Sequence, residues 1–370
     1  TSRNSLNPLT TFSSDDYYGL VNWGQGEWVE SREGDELLQI GVGRLPAINF
    51  DEANEMVEKI IRYENQPIRT PKSSTVTFLA DDADNNILVS DAEIHAGFLT
   101  ENHPEFLQNK LYLDRFEQEK SGTSQSSSQA KSALQKTLDE GTLIMNFIGH
   151  GNETTLTAEE IFQVSDISNW AKQEQLALWV TATCEFGRHD SPFIRSAAEE
   201  LLFAKGKGAV ALLSTGRPVF SSVNFALNKA FIEEVFQKKE GQYQDLGEIF
   251  KNTKNKSLNG ALNRNFSLLG DPSLKLALAE LEIQVTSMED IETGITTDTL
   301  SGLQEILLKA QVVDPLTQAF QSDFNGDYQL ELRDKPVSTS TLGDESSPYE
   351  FEEEQVLIFR GQGKIISGVL

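Results

Sequence analysis

The sequence predicts an α/β protein, with a mainly parallel sheet covered by helices on both faces and an all-β domain after it. Short apolar runs alternate with amphipathic helical stretches over residues 37–278. After about residue 278, strand-like segments follow one another with turn residues between them and no long helical pattern. The chain of 370 residues also exceeds what one hydrophobic core usually serves, so two domains are expected.

The first domain, residues 1–278, is predicted to hold short buried strands, because the runs concerned are continuously apolar and rich in β-branched residues. These strands are expected at 75–80, 142–148, 176–183 and 209–214. Apolar residues at helical spacing predict helices at 51–63, 90–107, up to about 138, 158–172, 193–204 and within 221–256. Strands that alternate with helices in this way form parallel βαβ units.

The second domain, residues 279–370, is predicted to be an Ig-like β-sandwich. Its strands are expected at 281–286, 305–313, 327–332 and 355–359, with Gly, Pro, Asp and Ser between them. Asn325-Gly326 is interpreted as a hairpin turn. The sequence ends in a strand-like stretch, so we expect this domain to be incomplete.

Composition excludes several classes of function. The net charge is −26, from 57 acidic and 31 basic residues, and such a surface repels phosphate backbones, so no nucleic-acid partner is expected. The single cysteine excludes an intrachain disulfide and a cysteine-rich metal site. No apolar run is long enough to span a membrane.

Two of the predicted strands end in reactive side chains. The 142–148 strand is followed directly by Gly149-His150-Gly151, and the 176–183 strand by Cys184. Because the carboxyl ends of neighbouring parallel strands meet at one edge of a sheet, we expect the thiol and the imidazole to lie close together. An imidazole beside a thiol activates it as a nucleophile. The sequence therefore predicts covalent catalysis by Cys184, with His150 as general base.

The backbone amides of Gly151 and Cys184 are candidates for an oxyanion hole, which needs donors fixed where negative charge develops. The alternative interpretation is a buried, inert cysteine and a structural histidine in a turn. His189, in the turn after Cys184, is the other candidate for the base.

The acidic turn after the 75–80 strand allows four interpretations. Asp82 or Asp84 could orient His150 or bind a basic substrate side chain, or the turn could be merely solvated. A structural calcium ion is the fourth, because four residues have EF-hand spacing, although Ile87 stands where that loop needs glycine. The four are Asp82, Asp84, Asn86 and Glu93. In the β domain, Asp323, Asn325 and Asp327 repeat part of this spacing.

An ordered set of motifs resembles the gingipain family of cysteine peptidases, which has a caspase-like α/β/α fold. The motifs are IGVGRLPA (40–47), FIGHGNET (147–154), VTATCEFG (180–187), GAVALLSTG (208–216) and LLGDPSLKL (268–276). The resemblance implies His150 and Cys184 as catalytic residues, with Asp82 or Asp84 as an acidic third member. It places Asp91 where a substrate-reading carboxylate stands, and Phe220 where a tryptophan covers the specificity pocket.

The resemblance extends, through DDYYGL (15–20) and LADDAD (79–84), to the family's peptidases of type IX secretion. It implies a peptidase on the outer-membrane surface of a Gram-negative bacterium that removes C-terminal sorting domains from secreted cargo without a catalytic cofactor. It also implies an outer-membrane barrel partner, transfer of the new carboxyl end to a lipopolysaccharide-linked amine, and a further upstream subdomain. A general secreted protease and an inactive caspase-like scaffold are the alternatives.

Overall fold

The computed structural model describes residues 11–26, 36–65, 72–122, 124–258 and 262–370. The chain divides into two compact units. The first comprises residues 1–239, 243–277 and 339–351, and the second comprises 240–242, 278–338 and 352–370.

The helices are α1 (Phe50–Asn65), α2 (Ile87–Asn102), α3 (Ser128–Glu140), α4 (Ala197–Phe203), α5 (Ser221–Val235) and α6 (Leu246–Lys256). The strands are β1 (Thr75–Ala80), β2 (Leu107–Tyr112), β3 (Glu119–Ser121), β4 (Ser124–Ser126), β5 (Ile144–Ile148), β6 (Thr155–Leu156), β7 (Phe162–Gln163), β8 (Ala177–Ala182), β9 (Ala209–Thr215), β10 (Lys238–Lys239), β11 (Gln242–Tyr243), β12 (Phe266–Leu269), β13 (Glu282–Asp290), β14 (Ile306–Val313), β15 (Gly326–Arg333), β16 (Val337–Ser340), β17 (Glu350–Glu353) and β18 (Leu357–Ile365). None of the described helices is both long enough and apolar enough to cross a membrane.

A six-stranded sheet in the order β12-β9-β8-β5-β1-β2 forms the centre of the first unit. Its strands run parallel except for β12, which pairs antiparallel with β9 at one edge. The four predicted strands, which are β1, β5, β8 and β9, are confirmed. Every residue of β1, β5, β8 and β9 is buried, which explains why these strands read as unbroken apolar runs.

Helices cover both faces of this sheet. On one face α1, α3 and α4 contribute to a core that includes Met56, Leu134, Trp179 and Leu212. On the other face α2 and α5 pack against each other and against β5 and β8 respectively, with α6 beside α5. The first unit is therefore an α/β/α sandwich, as the sequence predicts.

Three of the helix predictions need correction. The helix expected to reach residue 107 ends at Asn102, because Pro104 disfavours helical backbone at His103, and the chain then forms edge strand β2. The helix expected at 158–172 is absent from this described segment, which instead forms β7 and a short 3₁₀ turn. Thr157 and Glu160 have positive φ of 62° and 53°, so the backbone cannot enter a helix there.

The helix expected from residue 193 begins only at Ala197. Ser196 is its N-cap, and the Ser196 hydroxyl accepts from the Glu199 amide while the Glu199 carboxylate accepts from the Ser196 amide. This capping box fixes the first turn.

The IGVGRLPA motif contains a glycine that makes a backbone contact. A Cβ atom on Gly41 would lie 2.2 Å from the carbonyl carbon and oxygen of Gly247, near the start of α6. A Cβ on Gly247 would in turn lie 2.9 Å from Pro272. The backbone segments at Gly41, Gly247 and Pro272 therefore pack directly against one another, which requires glycine at positions 41 and 247.

The second unit is all-β in the residues described. Strands β13 and β14 form one antiparallel ladder, and β15 and β18 form another. Asn325-Gly326 does not close a two-residue hairpin, because the partner of β15 is β18 rather than a sequential neighbour. The Ig-like assignment and the domain boundary remain predictions.

Thr339–Phe351 belongs to the first unit, although the sequence suggests the β domain for it. The Asp114 carboxylate accepts from the amides of Gly343 and Asp344 at 2.7 and 2.8 Å. The Phe351 ring packs edge-on against Tyr112, with centroids 5.0 Å apart. These contacts attach the segment to the β2 edge of the sheet.

Candidate active site

Three strand ends lie side by side at one edge of the sheet. In the parallel register, Ala80 of β1 faces Ile148 of β5, and Ile148 faces Ala182 of β8. The residues that follow are the acidic turn, Gly149-His150-Gly151 and Thr183-Cys184. The sheet therefore brings together groups that are about a hundred residues apart in the sequence, as parallel sheets do at ligand sites.

A sharp turn presents Cys184 at the end of β8. The preceding carbonyl, of Thr183, accepts from the Thr215 hydroxyl at 2.6 Å, and the following residue, Glu185, has a left-handed φ of 56°. The Gly187 amide then donates to the Thr215 carbonyl at 2.9 Å, which ties the turn to β9. Cys184 is half-buried as a free thiol, with Sγ 3.9 Å from the Val219 carbonyl.

His150 is fixed by its backbone as well as by its side chain. Its amide donates to Asp81 Oδ2 at 2.8 Å, and its carbonyl accepts from the Thr157 amide at 2.9 Å. The ring Nε2 lies 3.0 Å from Asp84 Oδ2. Because Asp84 engages Nε2, the other ring nitrogen, Nδ1, is available to take a proton.

Gly149 allows Asp81 to reach the His150 amide. A Cβ on Gly149 would lie 2.5 Å from the Asp81 Cβ and 3.0 Å from its Oδ2. Any side chain there would displace the carboxylate that holds His150.

The structure distinguishes the two carboxylates of the acidic turn. Asp84, Asn85 and Asn86 have φ of 60°, 54° and 66°, a left-handed run that Asp and Asn tolerate better than other side chains. This run directs Asp84 to the ring of His150. Asp82 is instead buried beside Asp81, where its Oδ2 accepts from the Gln118 amide group, and burial raises the pKa of Asp82 to about 7.

The residues with EF-hand spacing do not converge on one centre. Glu93 forms an ion pair with Lys110 at 2.7 Å and accepts from Tyr112. Asn86 donates to the Ser347 carbonyl. In the second unit, Asn325 Oδ1 accepts from the Ser367 amide and Asp327 pairs with Lys364.

His150 and Cys184 line one small cavity, together with side chains from α2 and α5. The residues lining the cavity from these elements include Asp91, His95, Asn224 and Asn228. Asp91 lies on α2, and burial raises the pKa of its carboxyl. A carboxylate in this position can form an ion pair with a basic substrate group or accept a hydrogen bond from one.

His95 is a cavity residue to which the sequence analysis assigns no role. It is buried, and its ring stacks on Phe225 with centroids 5.3 Å apart. Burial lowers the pKa of His95 to about 4. Leu88, Asp91 and His95 recur at helical spacing and all line the cavity, so helical periodicity could have identified His95.

Two other sequence candidates lie at the margin of the site. Phe220 precedes α5 and is 69% exposed; its neighbours Val219 and Ser221 line the cavity, but Phe220 itself does not. His189 is not a cavity residue either, and its Nδ1 lies 3.1 Å from the Gly187 carbonyl. The geometry thus favours His150 over His189 as the partner of Cys184.

The Gly151 amide is outside the local backbone ladder. Gly151 faces Leu156, and the bonds of this pair are made by its neighbours, with Asn152 donating to Thr155 at 3.0 Å and Thr157 to His150 at 2.9 Å. A Cβ on Gly151 would lie 2.9 Å from Thr183 Oγ1. The glycine therefore allows the backbone after His150 to pack closely against Thr183, the residue before Cys184.

Comparison with known proteins gives one family. A sequence profile of peptidase family C25 matches residues 2–277. The fold is similar to that in the complex of Porphyromonas gingivalis RgpB pro- and mature domains, with a TM-score of 0.56, 15% identity, and coverage of 84% of this chain and 79% of that one. It is also similar to the Arg-specific cysteine proteinase gingipain R (RgpB), with a TM-score of 0.57, 13% identity, and coverage of 94% and 80%. No protein of curated function matches the sequence.

Proposed function

Because the chain belongs to peptidase family C25, a family of gingipain-like cysteine peptidases, we propose that Cys184, His150 and Asp84 are its catalytic residues. One observation carries this assignment. The thiol and the imidazole line the same cavity, and the imidazole is oriented by a carboxylate 3.0 Å from Nε2. A nucleophile, a base and an orienting group in this order form the arrangement that acyl transfer requires.

The proposed reaction begins with proton transfer from Cys184 Sγ to His150 Nδ1. The thiolate attacks the scissile carbonyl carbon, and the negative charge that develops on oxygen is stabilised by the amides of Gly151 and Cys184. His150 then protonates the departing amine, the C–N bond breaks, and an acyl-thioester remains on Cys184. Water or an amine attacks this thioester to release the product and restore the thiol.

We further propose that the substrate is secreted cargo with a C-terminal sorting domain, as for PorU, the sorting peptidase of type IX secretion. The DDYYGL and LADDAD motifs support this proposal. It places the protein on the outer-membrane surface of a Gram-negative bacterium, with an outer-membrane barrel as partner. A lipopolysaccharide-linked amine would then be the acceptor for the thioester.

Reaction of Cys184 with iodoacetamide at neutral pH tests the catalytic assignment. The His150→Gln variant should lose most of the enhanced alkylation rate, because the thiol loses the imidazole that is proposed to activate it. The matched control is His189→Gln, which removes the histidine in the turn after Cys184. Its thiol should react at the wild-type rate. Equal rates in all three proteins would overturn the assignment.

A cargo protein that ends in a sorting domain tests the substrate. The protein should cleave this cargo at one position and, with an added primary amine, form a ligated product visible by mass spectrometry. The Cys184→Ser variant should form neither. Indiscriminate cleavage of casein with no preference for the cargo would instead favour a general secreted protease.

A further inference from the structure

We propose that Asn86 and Ser346 are positioning residues for the Asp84 carboxylate, because they attach the acidic turn to a loop far away in the sequence. This loop, residues 341–349, connects β16 to β17 and belongs to the first unit. The proposal rests on the proposed function, since its subject is how Asp84 is held against the ring of His150.

Two hydrogen bonds join the 341–349 loop to the acidic turn, one on each side of Asp84. The Ser346 hydroxyl donates to the carbonyl of Asp82, two residues before Asp84, at 3.2 Å. The amide group of Asn86, two residues after Asp84, donates to the Ser347 carbonyl at 2.6 Å. The residue that contacts the imidazole therefore lies between two attachments to the same loop.

The 341–349 loop is itself held in place, so it can support the turn. At its base, the Thr341 amide donates to the Tyr349 carbonyl at 3.0 Å, and the Tyr349 amide donates to the Thr341 hydroxyl at 2.9 Å. Further along, the buried Asp114 carboxylate accepts from the amides of Gly343 and Asp344 at 2.7 and 2.8 Å. These bonds tie the loop to the end of β2 as well as to its own base.

The acidic turn needs support from outside because its backbone is unfavourable. Asp84, Asn85 and Asn86 all have left-handed φ, and such residues persist only where surrounding contacts hold them. Packing does not hold the catalytic pair, since the Asp84 and His150 side chains are 49% and 59% exposed. The hydrogen bonds to the loop supply a constraint that the pair itself lacks.

The Asn86 side chain serves this attachment rather than its own helix. Asparagine at an N-cap usually accepts a hydrogen bond from an amide in the first turn of the helix. Asn86 occupies that position before α2, yet its side chain makes no capping bond and donates to Ser347 instead. Its side chain therefore acts on the placement of the turn.

Alkylation of Cys184 by iodoacetamide at neutral pH, in the full chain, tests this role. The Asn86→Asp variant should react about 3- to 10-fold more slowly than the wild type, because a carboxylate tolerates the left-handed backbone but cannot donate to the Ser347 carbonyl. The matched control is Asn85→Asp, which adds the same charge at the adjacent left-handed residue. Its thiol should react at the wild-type rate.

The double variant Asp84→Asn/Asn86→Asp separates positioning from a general loss of structure. Since Asn86 acts through Asp84, its substitution should not slow alkylation further once the Asp84 charge is gone. The same fold reduction in both backgrounds would make Asn86 a merely structural residue and would overturn the proposal. Ser346→Ala takes the place of Asn86→Asp in this cycle if that variant does not fold.

¹⁵N NMR of the imidazole rings gives a readout that does not depend on the thiol. Asp84 favours the tautomer of His150 that is protonated at Nε2, so Asn86→Asp should raise the share of the Nδ1–H tautomer and Asn85→Asp should not. The His150→Gln variant identifies the signal among the four histidines.

These measurements distinguish failure of the positioning role from failure of the proposed function. Equal alkylation of the wild type and of His150→Gln would overturn the catalytic assignment, and the positioning role with it. If alkylation depends on His150 but the Asn86→Asp and Asn85→Asp variants react alike, the catalytic assignment stands and the role of Asn86 is wrong.

Discussion

At the scale of single residues, the site depends on which carboxylate contacts His150. The sequence cannot choose between Asp82 and Asp84, because both follow β1 and lie two residues apart. The choice is made by the left-handed backbone at Asp84, Asn85 and Asn86, which turns one carboxylate to the imidazole and leaves the other inside. Such conformations depend on tertiary contacts as much as on local sequence, so pattern analysis does not predict them.

The Asp84→Asn substitution should lower kcat by about 10- to 100-fold with little change in KM, because it removes the charge that stabilises the His150 imidazolium. The effect should be smaller than for a buried triad, since both side chains are about half exposed to screening solvent. Steady-state kinetics on a peptide substrate measures both constants. An unchanged kcat would exclude Asp84 as the orienting residue.

His95 predicts a dependence of stability on pH. Its pKa is about 4 in the folded state and about 6.5 when unfolded, with burial and the nearby Lys229 lowering it and Glu233 raising it. The unfolded chain therefore binds more protons as pH falls below 6.5, and stability is lost over that range. At pH 5 this difference in proton binding lowers the free energy of unfolding by about 2 kcal/mol.

Urea unfolding of the wild type and of His95→Gln, at pH 7 and at pH 5, measures this dependence. The free energy of unfolding of the variant should fall less between the two pH values, by about 2 kcal/mol. If both proteins lost the same free energy of unfolding, His95 would be charged in the folded state.

At the scale of elements, most strands and helices of the first unit are predictable because periodicity and burial agree. The error at 158–172 has a physical origin. Ile161, Phe162, Ile167 and Trp170 all enter the core, so the segment is apolar, but these residues do not lie on one face of a helix. Thr157 and Glu160, which have positive φ, form turns there instead. Strand β12 is not predicted from the sequence, because a segment of four residues is too short to show a hydrophobic periodicity.

The contact between Gly41 and Gly247 makes a prediction about how α6 packs. The Gly41→Ala substitution should destabilise the first unit by several kcal/mol, because the new Cβ would overlap a backbone carbonyl rather than a movable side chain. Gly97→Ala on α2, where a Cβ meets nothing within 4 Å, is the control and should leave stability unchanged or improve it. Similar unfolding midpoints for the two variants would contradict the packing described.

At the scale of the whole molecule, buried ion pairs attach the DDYYGL segment to the first unit. Asp16 lies 2.9 Å from Lys254 and 3.3 Å from Arg264, and all three side chains are almost fully buried. Asp15 pairs with Arg44, which is partly exposed. The sequence contains these charges, but the partners of Asp16 lie more than two hundred residues away and no local pattern reveals the pairing.

The Asp16→Asn substitution should therefore lower the free energy of unfolding by about 3–5 kcal/mol, since it leaves two buried cations without their counterion. Asp15→Asn, the same change at the adjacent residue, should cost much less because Arg44 can reach solvent. Denaturant unfolding followed by tryptophan fluorescence compares the two. Equal losses would show that burial of the Asp16 pairs does not decide the effect.

The attachment of Thr339–Phe351 to the β2 edge determines where a shortened recombinant version of this protein has to end. A chain cut near residue 278, where the β-rich sequence begins, would retain the whole sheet but lose the amides that satisfy Asp114 and the ring that covers Tyr112. The same cut would remove Ser346, whose hydroxyl donates to the Asp82 carbonyl. A recombinant fragment meant to retain the native active-site edge therefore has to extend past Phe351.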